Sequence, residues 1–337
     1  MSNKSSLRQT TNTRPRFDRV VNSLVRRGPL IIFGVLLVGL AWQAPMLLSP
    51  LSIQSSLIQA SPIAIVAIGL AIVVIGGGDD VVVGGIDLSI PASAALATAV
   101  ISDQLTNRGA SFLYALALAF VAAVIVGLVN AILITVIGLT PILATLATYS
   151  SVAGVIRVLT TNRRINVDHP VILFIRDESF AGIPLPVIFM LVVVGLFTFL
   201  IHNTRYGRRL RTVGGNVDAA LSSGLNPNRL VASSFVLAGV TAAIAGILLV
   251  ARGSGLSPGI EERLLVDMVL AGFVGAAFSA RNVVTVPGAA MGAVLVAFLS
   301  NGLILNRVDN SWVDGWKGVL ILIVVTAAAL QTRRARS

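Results

Sequence analysis

About ten apolar stretches divide this chain, each near the roughly 20 residues that cross the hydrocarbon core of a bilayer. Only 12% of the 337 residues are charged, against about 25% in a typical soluble domain. A helix satisfies its backbone hydrogen bonds within itself, and lipid offers no partners for them. The sequence therefore predicts an all-α, polytopic bundle of about ten membrane spans, or eight if the third and the eighth cross only in part.

One membrane domain, residues 29–331, is predicted between a basic tail of residues 1–28 and a short basic tail of residues 332–337. The predicted spans are 29–48, 57–76, 88–101, 112–137, 141–159, 184–201, 230–251, 264–280, 284–305 and 316–330. The spacings Gly239-x-x-x-Ala243 and Gly288-x-x-x-Gly292 favour close helix packing, because small residues let two backbones approach.

The basic residues predict which side of the membrane each loop occupies. Fifteen of the 25 Lys and Arg residues lie in three segments, 1–28, 205–229 and 333–336. Ten spans place all three on one side, and an excess of Lys and Arg marks the cytoplasm. Both termini are therefore predicted to be cytoplasmic. The loop 161–183 then lies outside, where its mixed charge indicates either a solvated surface or a docking face for an external partner.

Residue types that are rare or absent exclude several kinds of site. The chain has no cysteine, so it forms no disulfide or thiolate metal site, and His169 and His202 are too far apart in sequence to suggest a metal site. Lys4 and Lys317 are the only lysines, and neither lies in the glycine frame of a phosphate-binding loop. The chain is expected to bind no metal or cofactor, and any ATPase would be another polypeptide.

The loop 202–229 contains residues that typically start and end a short helix. Gly214-Gly215 interrupts the chain, and Asn216 or Asp218 can cap a helix over 217–223. Gly224 is predicted to end that helix. The arrangement predicts a short helix parallel to the membrane.

Two small residues are predicted to make that helix approachable. Ala219 and Ala220 form a low face that another protein can contact closely, and Pro227 is expected to prevent the helix from restarting. The alternative is a surface loop whose arginines contact anionic lipid head groups.

Asp87 is the one acid expected to be buried. It precedes an apolar helix with Pro91 in the first turn, which favours a capping role at the helix start. The alternative is a functional role, because an acid near or inside the membrane marks a functional-site hypothesis. Asp79 and Asp80 lie in glycine-rich chain without the spacing of a magnesium site.

Polar residues on the spans are candidates for a translocation path. The four singled out are Asn130, Thr145, Tyr149 and Asn301. They can form hydrogen bonds between helices, each worth about 0.6 kcal/mol on average. A neutral sugar or polyol could also use the same groups in passing.

Three segments carry a resemblance to a known family. Asp218-Ala219-Ala220, followed by Gly224, is similar to the acid-Ala-Ala-x-x-x-Gly coupling motif of the permeases of ATP-binding-cassette (ABC) importers. The surrounding strings Thr204-Arg-Tyr-Gly-Arg-Arg209 and Val213-Gly-Gly-Asn216 resemble the ribose-type sugar permeases. The strings Gly84-Gly-Ile-Asp-Leu-Ser89 and Thr140-Pro-Ile-Leu-Ala-Thr-Leu146 resemble two further segments of that family.

The resemblance implies a multi-pass permease subunit of the bacterial inner membrane that moves a sugar or sugar-like solute. It implies cytoplasmic ATPase subunits that hold ATP and magnesium, a second permease copy or paralogue, and a periplasmic sugar-binding protein. The implied coupling residues are Gly207, Arg208, Gly214, Gly215, Asn216, Asp218, Ala219, Ala220 and Gly224. The implied signature or gate residues are Gly84, Gly85, Asp87 and Ser89.

The sequence departs from the usual pattern of this family at two places. Residues 78–85 resemble a local insertion, and the glycine pairs usual near residues 271–288 are partly replaced.

A stand-alone secondary transporter would need ion-coordinating groups at mid-membrane, and the spans contain no acid beyond Asp87 that suggests them. An intramembrane enzyme would need a catalytic constellation within the spans, and the sequence contains none. No nucleic-acid partner is expected.

Overall fold

The computed structural model describes residues 16–77, 85–279 and 283–336, and these residues form a helical bundle. The α-helices are α1 Arg16–Gln43, α2 Pro50–Gly77, α3 Ile90–Thr106, α4 Phe112–Thr135, α5 Pro141–Thr160, α6 Pro170–Asp177, α7 Leu185–Asn203, α8 Arg205–Gly215, α9 Val217–Ser222, α10 Pro227–Gly253, α11 Ile260–Ala276, α12 Val286–Leu305 and α13 Asn310–Arg336. A 3-10 helix spans Pro45–Leu48. The strands are β1 Ile165–Asn166, β2 Ser179–Phe180, β3 Ile183–Pro184 and β4 Gly255–Leu256.

Each of the ten predicted spans overlaps one α-helix, and the first also overlaps the 3-10 helix, but several helix ends differ from the prediction. Helix α1 begins at Arg16, inside the predicted basic tail, and ends at Gln43, before the 3-10 helix. Helices α11 and α13 begin four and six residues before their predicted spans. Polar residues at these helix ends hid the boundaries, because the prediction followed apolar runs and helices continue beyond the apolar core.

Six of the described helices are long and apolar enough to cross a membrane: α2, α4, α5, α7, α10 and α12. The apolar part of α1, Leu30–Gln43, is shorter, and α3 and α11 have 17 residues each. These lengths and compositions are those of a helical membrane protein.

Helix α2 lies at the centre of the bundle. Every residue from Ala60 to Gly76 is buried, and the helix packs against α10, α12, α11 and α7. A helix that is apolar on all sides is expected to be buried on all sides. Helices α4, α5 and α7 are only one-third buried over their apolar windows, so their outward faces are available to lipid.

Glycines bring the helices into backbone contact. A Cβ on Gly127 of α4 would lie 2.5 Å from the Phe235 carbonyl oxygen of α10, and one on Gly239 would lie 2.7 Å from the Ala123 carbonyl oxygen. A Cβ on Gly288 of α12 would lie 2.5 Å from the carbonyl oxygen of Gly275 in α11. The close packing predicted for Gly239 and Gly288 is confirmed.

One end of the bundle carries both small sheets, and we call residues 161–184 and 253–259 the strand end. Strand β1 pairs antiparallel with β4, and β2 pairs antiparallel with β3. Arg164 binds the Ser257 hydroxyl and the Gly253 carbonyl, each at 2.7 Å. Arg176 donates to the Ser254 hydroxyl at 2.8 Å. These bonds join the loop after α5 to the turn after α10.

The opposite end carries the basic loop, and we call residues 204–226 the arginine end. Helix α8 packs against the last turns of α2, where a Cβ on Gly76 would lie 2.8 Å from Leu210 Cδ1. The Tyr206 hydroxyl lies 2.9 Å from the Ser233 hydroxyl near the start of α10. Helix α10 therefore runs from the arginine end to the strand end.

Candidate functional site

A chain of hydrogen bonds links four polar side chains inside the bundle. The Ser89 hydroxyl donates to Asp87 Oδ1 at 2.6 Å, and the Ser89 backbone N–H donates to the same oxygen at 2.8 Å. Asn130 of α4 donates from Nδ2 to Ser89 Oγ at 2.7 Å, and the Thr148 hydroxyl of α5 donates to Asn130 Oδ1 at 2.7 Å. All four residues are buried. This Asp87 network joins the segment before α3 to α4 and α5.

The predicted capping role of Asp87 differs from what the structure shows. Helix α3 begins at Ile90, with Ser89 at the capping position, and Asp87 lies two residues earlier. Its carboxylate accepts from Ser89, two residues on, which is the pattern of an Asx turn. Asp87 therefore fixes the conformation of the chain that leads into α3, and Ser89 carries that effect to Asn130.

Thr145 supports the same segment from α5. Its hydroxyl accepts from the Leu88 backbone N–H at 3.1 Å and lies 3.4 Å from the Ile86 carbonyl oxygen. Thr145 and Asn130 are both fully buried. In this conformation they hold the segment at residues 86–89, and neither lines an open path.

The other two candidates for the path lie elsewhere. Asn301 of α12 donates to Ser52 Oγ at 2.9 Å and to Ser56 Oγ at 2.8 Å, which fastens α12 to the first turns of α2. Tyr149 is half-buried and lies within electrostatic range of Glu261. The structure therefore does not bring the four predicted path residues into one site.

The glycine-rich segment after α2 is described only at its edges. Gly84, Asp79 and Asp80 lie outside the described residues. A Cβ on Gly85 would lie 3.2 Å from the Gly77 Cα atom. The chain therefore leaves α2 at Gly77 and returns to the same place at Gly85, so the two ends of the predicted insertion are neighbours.

The short helix of the basic loop forms as the sequence predicts. The Asn216 side chain accepts from the Ala219 backbone N–H at 2.9 Å, so Asn216 rather than Asp218 caps α9. Gly224 follows the helix with a φ of +73°, a conformation that glycine adopts without strain. Pro227 does not prevent a restart: it occupies the first turn of α10, which Asn226 caps.

A second helix, α8, precedes α9 and was missed in the sequence. Thr204 caps it, and Leu210 and Val213 on its buried side pack into the bundle. Gly207 lies against the Ile201 backbone so closely that a Cβ would overlap the Ile201 carbonyl oxygen. The signal in the sequence was the apolar pair at a spacing of three, between arginines.

Two contacts hold α8 in place. Arg208 donates to the Asn203 carbonyl at 3.2 Å, and Tyr206 shares a hydrogen bond with Ser233. Burial raises the pKa of the Tyr206 phenol, so it remains a neutral hydrogen-bonding group. Gly214 and Gly215 form the last turn of α8, and a Cβ on Gly215 would meet no atom within 4 Å.

The predicted alanine face of α9 needs correction. Ala219 is exposed, but Ala220 is fully buried against its own chain. The exposed apolar side chains are Val217, at 51% exposure, and Leu221, at 55%. A six-residue helix must bury one side to be held in place, and Ala220 provides that side. The surface offered to a partner is therefore Val217 and Leu221, with Asp218 and Ala219 beside them.

The sequence predicted Asp87 as the one buried acid, and that prediction is wrong, because three further acids are buried in the bundle. Lys317 Nζ of α13 lies 2.7 Å from Asp267 Oδ1 of α11, with both side chains at most 10% exposed. Asp103 and Glu261 are also buried. Asp267 and Lys317 each interrupt an apolar run of the sequence, and this interruption was the signal that these charged residues are buried. Their pairing could not be inferred, because they lie on different helices.

Comparison with known proteins matches residues 52–325 to the family described as the permease component of branched-chain amino acid transport systems. The ribose import permease protein RbsC of Bacillus subtilis is 31% identical over 325 residues, which cover 96% of this chain and 97% of that protein. The galactofuranose transporter permease protein YtfT of Escherichia coli is 29% identical over 278 residues, or 82% of this chain and 78% of that protein. The L-arabinose ABC transporter permease protein AraH of Azospirillum brasilense is 27% identical over 300 residues, or 89% and 86%. No solved structure matches the chain.

The Asp87 network predicts a stability cost when one hydroxyl is removed. Thr148→Val keeps the shape of the side chain but leaves Asn130 Oδ1 without its donor, which costs about 1–3 kcal/mol for a buried polar group. Ser150→Ala is the matched control, because Ser150 is exposed on the same helix and bonds only to its own helix at the Leu146 carbonyl. Thermal unfolding of both variants in one detergent checks this. Equal midpoints for the two variants would contradict it.

Proposed function

The chain belongs to the family described as the permease component of branched-chain amino acid transport systems, and we propose that the solute it carries across the membrane is a monosaccharide. It is a membrane-spanning permease subunit of an ABC importer and a multi-pass protein of the bacterial inner membrane. The observation that carries the proposal is the substrate in the names of its relatives: ribose, galactofuranose and L-arabinose.

The choice of sugar over amino acid rests on similarity along nearly the whole chain. The family description names branched-chain amino acids, whereas the ribose relative aligns over 96% of this chain. Relatives named for three different monosaccharides match the chain at 27–31% identity. Their shared chemistry is a small, neutral, polyhydroxylated ring, and we assign that class of solute to this chain.

The proposed topology has ten spans with both termini in the cytoplasm. The arginine end would then face the cytoplasm and the strand end would face the periplasm. In support, the described helices alternate between the two ends, and the arginine end carries Arg205, Arg208, Arg209 and Arg211. The preference of basic loops for the cytoplasmic side gives the direction.

The proposed docking site for a cytoplasmic ATPase subunit is the exposed side of α9. Val217 and Leu221 are apolar side chains at the arginine end, where a soluble partner can cover them. Helix α9 is joined to α8, and α8 packs against α2, so a push on α9 reaches the central helix. ATP and magnesium would be bound by that partner, and hydrolysis would take place there.

Two further partners complete the proposed importer. The strand end would receive a periplasmic sugar-binding protein, because Arg164 and Arg176 fix its loops as one platform. The Arg176 guanidinium also holds the pKa of the Asp177 carboxyl below its usual value, so this exposed pair stays charged. A second permease copy or paralogue would share the membrane with this chain.

The buried charges do not favour a stand-alone secondary transporter. Such a protein couples an ion through coordinating groups at mid-membrane. Here Asp267 is paired with Lys317, and Asp103 with Arg108 at 2.9 Å. Glu261 lies in the first turn of α11, beside the strand end. The buried Asp267–Lys317 pair fastens α11 to α13, and removing one partner of a buried pair costs about 3–5 kcal/mol.

The proposed solute class is tested by uptake in cells that express the chain with the other subunits of its transporter. D-ribose, L-arabinose, D-xylose and L-leucine are supplied separately as radiolabelled solutes. We expect accumulation of at least one of the sugars and none of L-leucine. Uptake of L-leucine with no sugar uptake would reject the monosaccharide assignment and favour the amino acids named in the family description.

Topology is tested with a reporter that is active only in the cytoplasm. A fusion after Asn216, at the arginine end, should be active, and one after Asp168, at the strand end, should be silent. The inverse pattern would reverse the orientation and would move the proposed ATPase site to the wrong side of the membrane.

The docking site on α9 is tested by co-purification. Leu221→Glu places a charge within an apolar contact, and we expect about a tenfold loss of bound ATPase subunit, the equivalent of about 1.4 kcal/mol. Ser179→Glu is the control, because it adds the same charge at an exposed position of the strand end. The amount of ATPase recovered per permease decides the matter. Undiminished recovery with Leu221→Glu would exclude this face.

A further inference from the structure

A cavity of about 230 Å³ opens at the strand end of α2. Its lining consists of Leu51, Gln54, Ser55, Ile58 and Gln59 from α2, and Arg252 from the last turn of α10. Binding pockets for drug-sized ligands usually have about 300–1,000 Å³. This cavity is therefore sized for a smaller molecule.

The polar side chains of the lining are available to form hydrogen bonds with a ligand. Within the described residues, Gln54, Ser55, Gln59 and Arg252 form no hydrogen bond through their side chains. Ser52 and Ser56, on another side of the same helix turns, are both bonded to Asn301. The start of α2 therefore has one side that fastens it to α12 and another that presents unpaired polar groups to the cavity.

The charge of Arg252 is balanced by its surroundings. Asp267 of α11 lies within electrostatic range of the Arg252 guanidinium, and Asp267 is itself paired with Lys317. Arg252 is nevertheless exposed towards the cavity. It can donate hydrogen bonds there while the acid behind it offsets part of its charge.

These groups suit a neutral monosaccharide. Two amides offer donors and acceptors, the Ser55 hydroxyl offers both, and the guanidinium offers several donors. Leu51 and Ile58 add apolar surface for the C–H groups of a sugar ring. A branched-chain amino acid carries a positively charged ammonium group, and none of the six lining residues is acidic to balance that charge.

We propose that this cavity is the first subsite at which the permease receives its monosaccharide, with Gln54, Gln59 and Arg252 as the hydrogen-bonding residues. The inference rests on the proposed function, because it takes the solute class from there. It adds a location, at the strand end between α2 and α10, and the residues that hold the sugar.

The natural absence of cysteine makes a direct test possible. Gln59→Cys is placed in the otherwise unchanged chain, within the complete transporter in cell membranes, and is labelled with a membrane-impermeant thiol reagent from the periplasmic side. D-ribose, L-arabinose or D-xylose is added as the protecting solute, with L-leucine as the comparison. The sugar that the wild type takes up should slow labelling about fivefold at four times its dissociation constant, by mass action.

Ser179→Cys is the matched control. It lies at the strand end outside the cavity lining, so it should be labelled at the same rate with and without sugar. Slowing at both positions would show a general effect of sugar and would overturn the subsite. Absence of labelling at Gln59→Cys, with normal labelling at Ser179→Cys, would also overturn an externally open cavity.

Uptake by Gln59→Ala supplies an independent measurement. Loss of one hydrogen bond to the sugar should lower the uptake rate, at limiting sugar and equal membrane abundance, about fivefold. If the wild type takes up the sugar while Gln59→Ala matches it and Gln59→Cys is unprotected, the subsite is wrong and the proposed function stands. If the wild type takes up none of the three sugars, both fail.

Discussion

A membrane interior supplies no water to a polar group, and the architecture of this protein follows from that constraint. Asp87 is buried, so its carboxylate must find donors within the chain. It finds them in Ser89, and Ser89 in turn binds Asn130, which binds Thr148. One buried acid thus sets the path of the chain into α3 and ties that path to two neighbouring helices. Unpaired, the same acid would destabilise the bundle.

Other polar side chains inside the bundle also find their partners within the chain, in smaller sets of hydrogen bonds and ion pairs. Asn301 fastens α12 to α2 through two serines, and Lys317 fastens α13 to α11 through Asp267. Between these polar contacts the helices meet through glycine, as at Gly275 and Gly288. The central helix α2 needs no polar partner along its middle, because its residues there are almost all apolar. Its exposed polar groups lie at the strand end, where the cavity opens.

The existence of the helices could be predicted from the sequence, but their ends and partners could not. An apolar run of about 20 residues has one stable state in lipid, so each predicted span overlaps a helix. Polar turns at helix ends carry no such signal, and for this reason α1, α11 and α13 begin earlier than predicted. The Asp267–Lys317 pair lies between two helices, and a single sequence does not show which charges meet.

The basic loop shows the same division on a smaller scale. Asn216 and Gly224 act on their immediate neighbours, so the cap and the end of α9 could be predicted. Which side of α9 is buried depends on its contacts with the rest of the chain. The exposure of Leu221 and the burial of Ala220 therefore could not be predicted from the sequence. Helix α8 was hidden among arginines, although its buried Leu210 and Val213 hold it to the bundle.

We propose that this chain provides the membrane path and that the energy for transport comes from a separate ATPase subunit. The most direct measurement is sugar uptake into proteoliposomes that contain the purified chain, with and without its ATPase subunit and binding protein, in the presence of ATP or of an imposed ion gradient. We expect uptake only when all subunits and ATP are present. Accumulation of sugar by the chain alone, driven by the ion gradient, would contradict it.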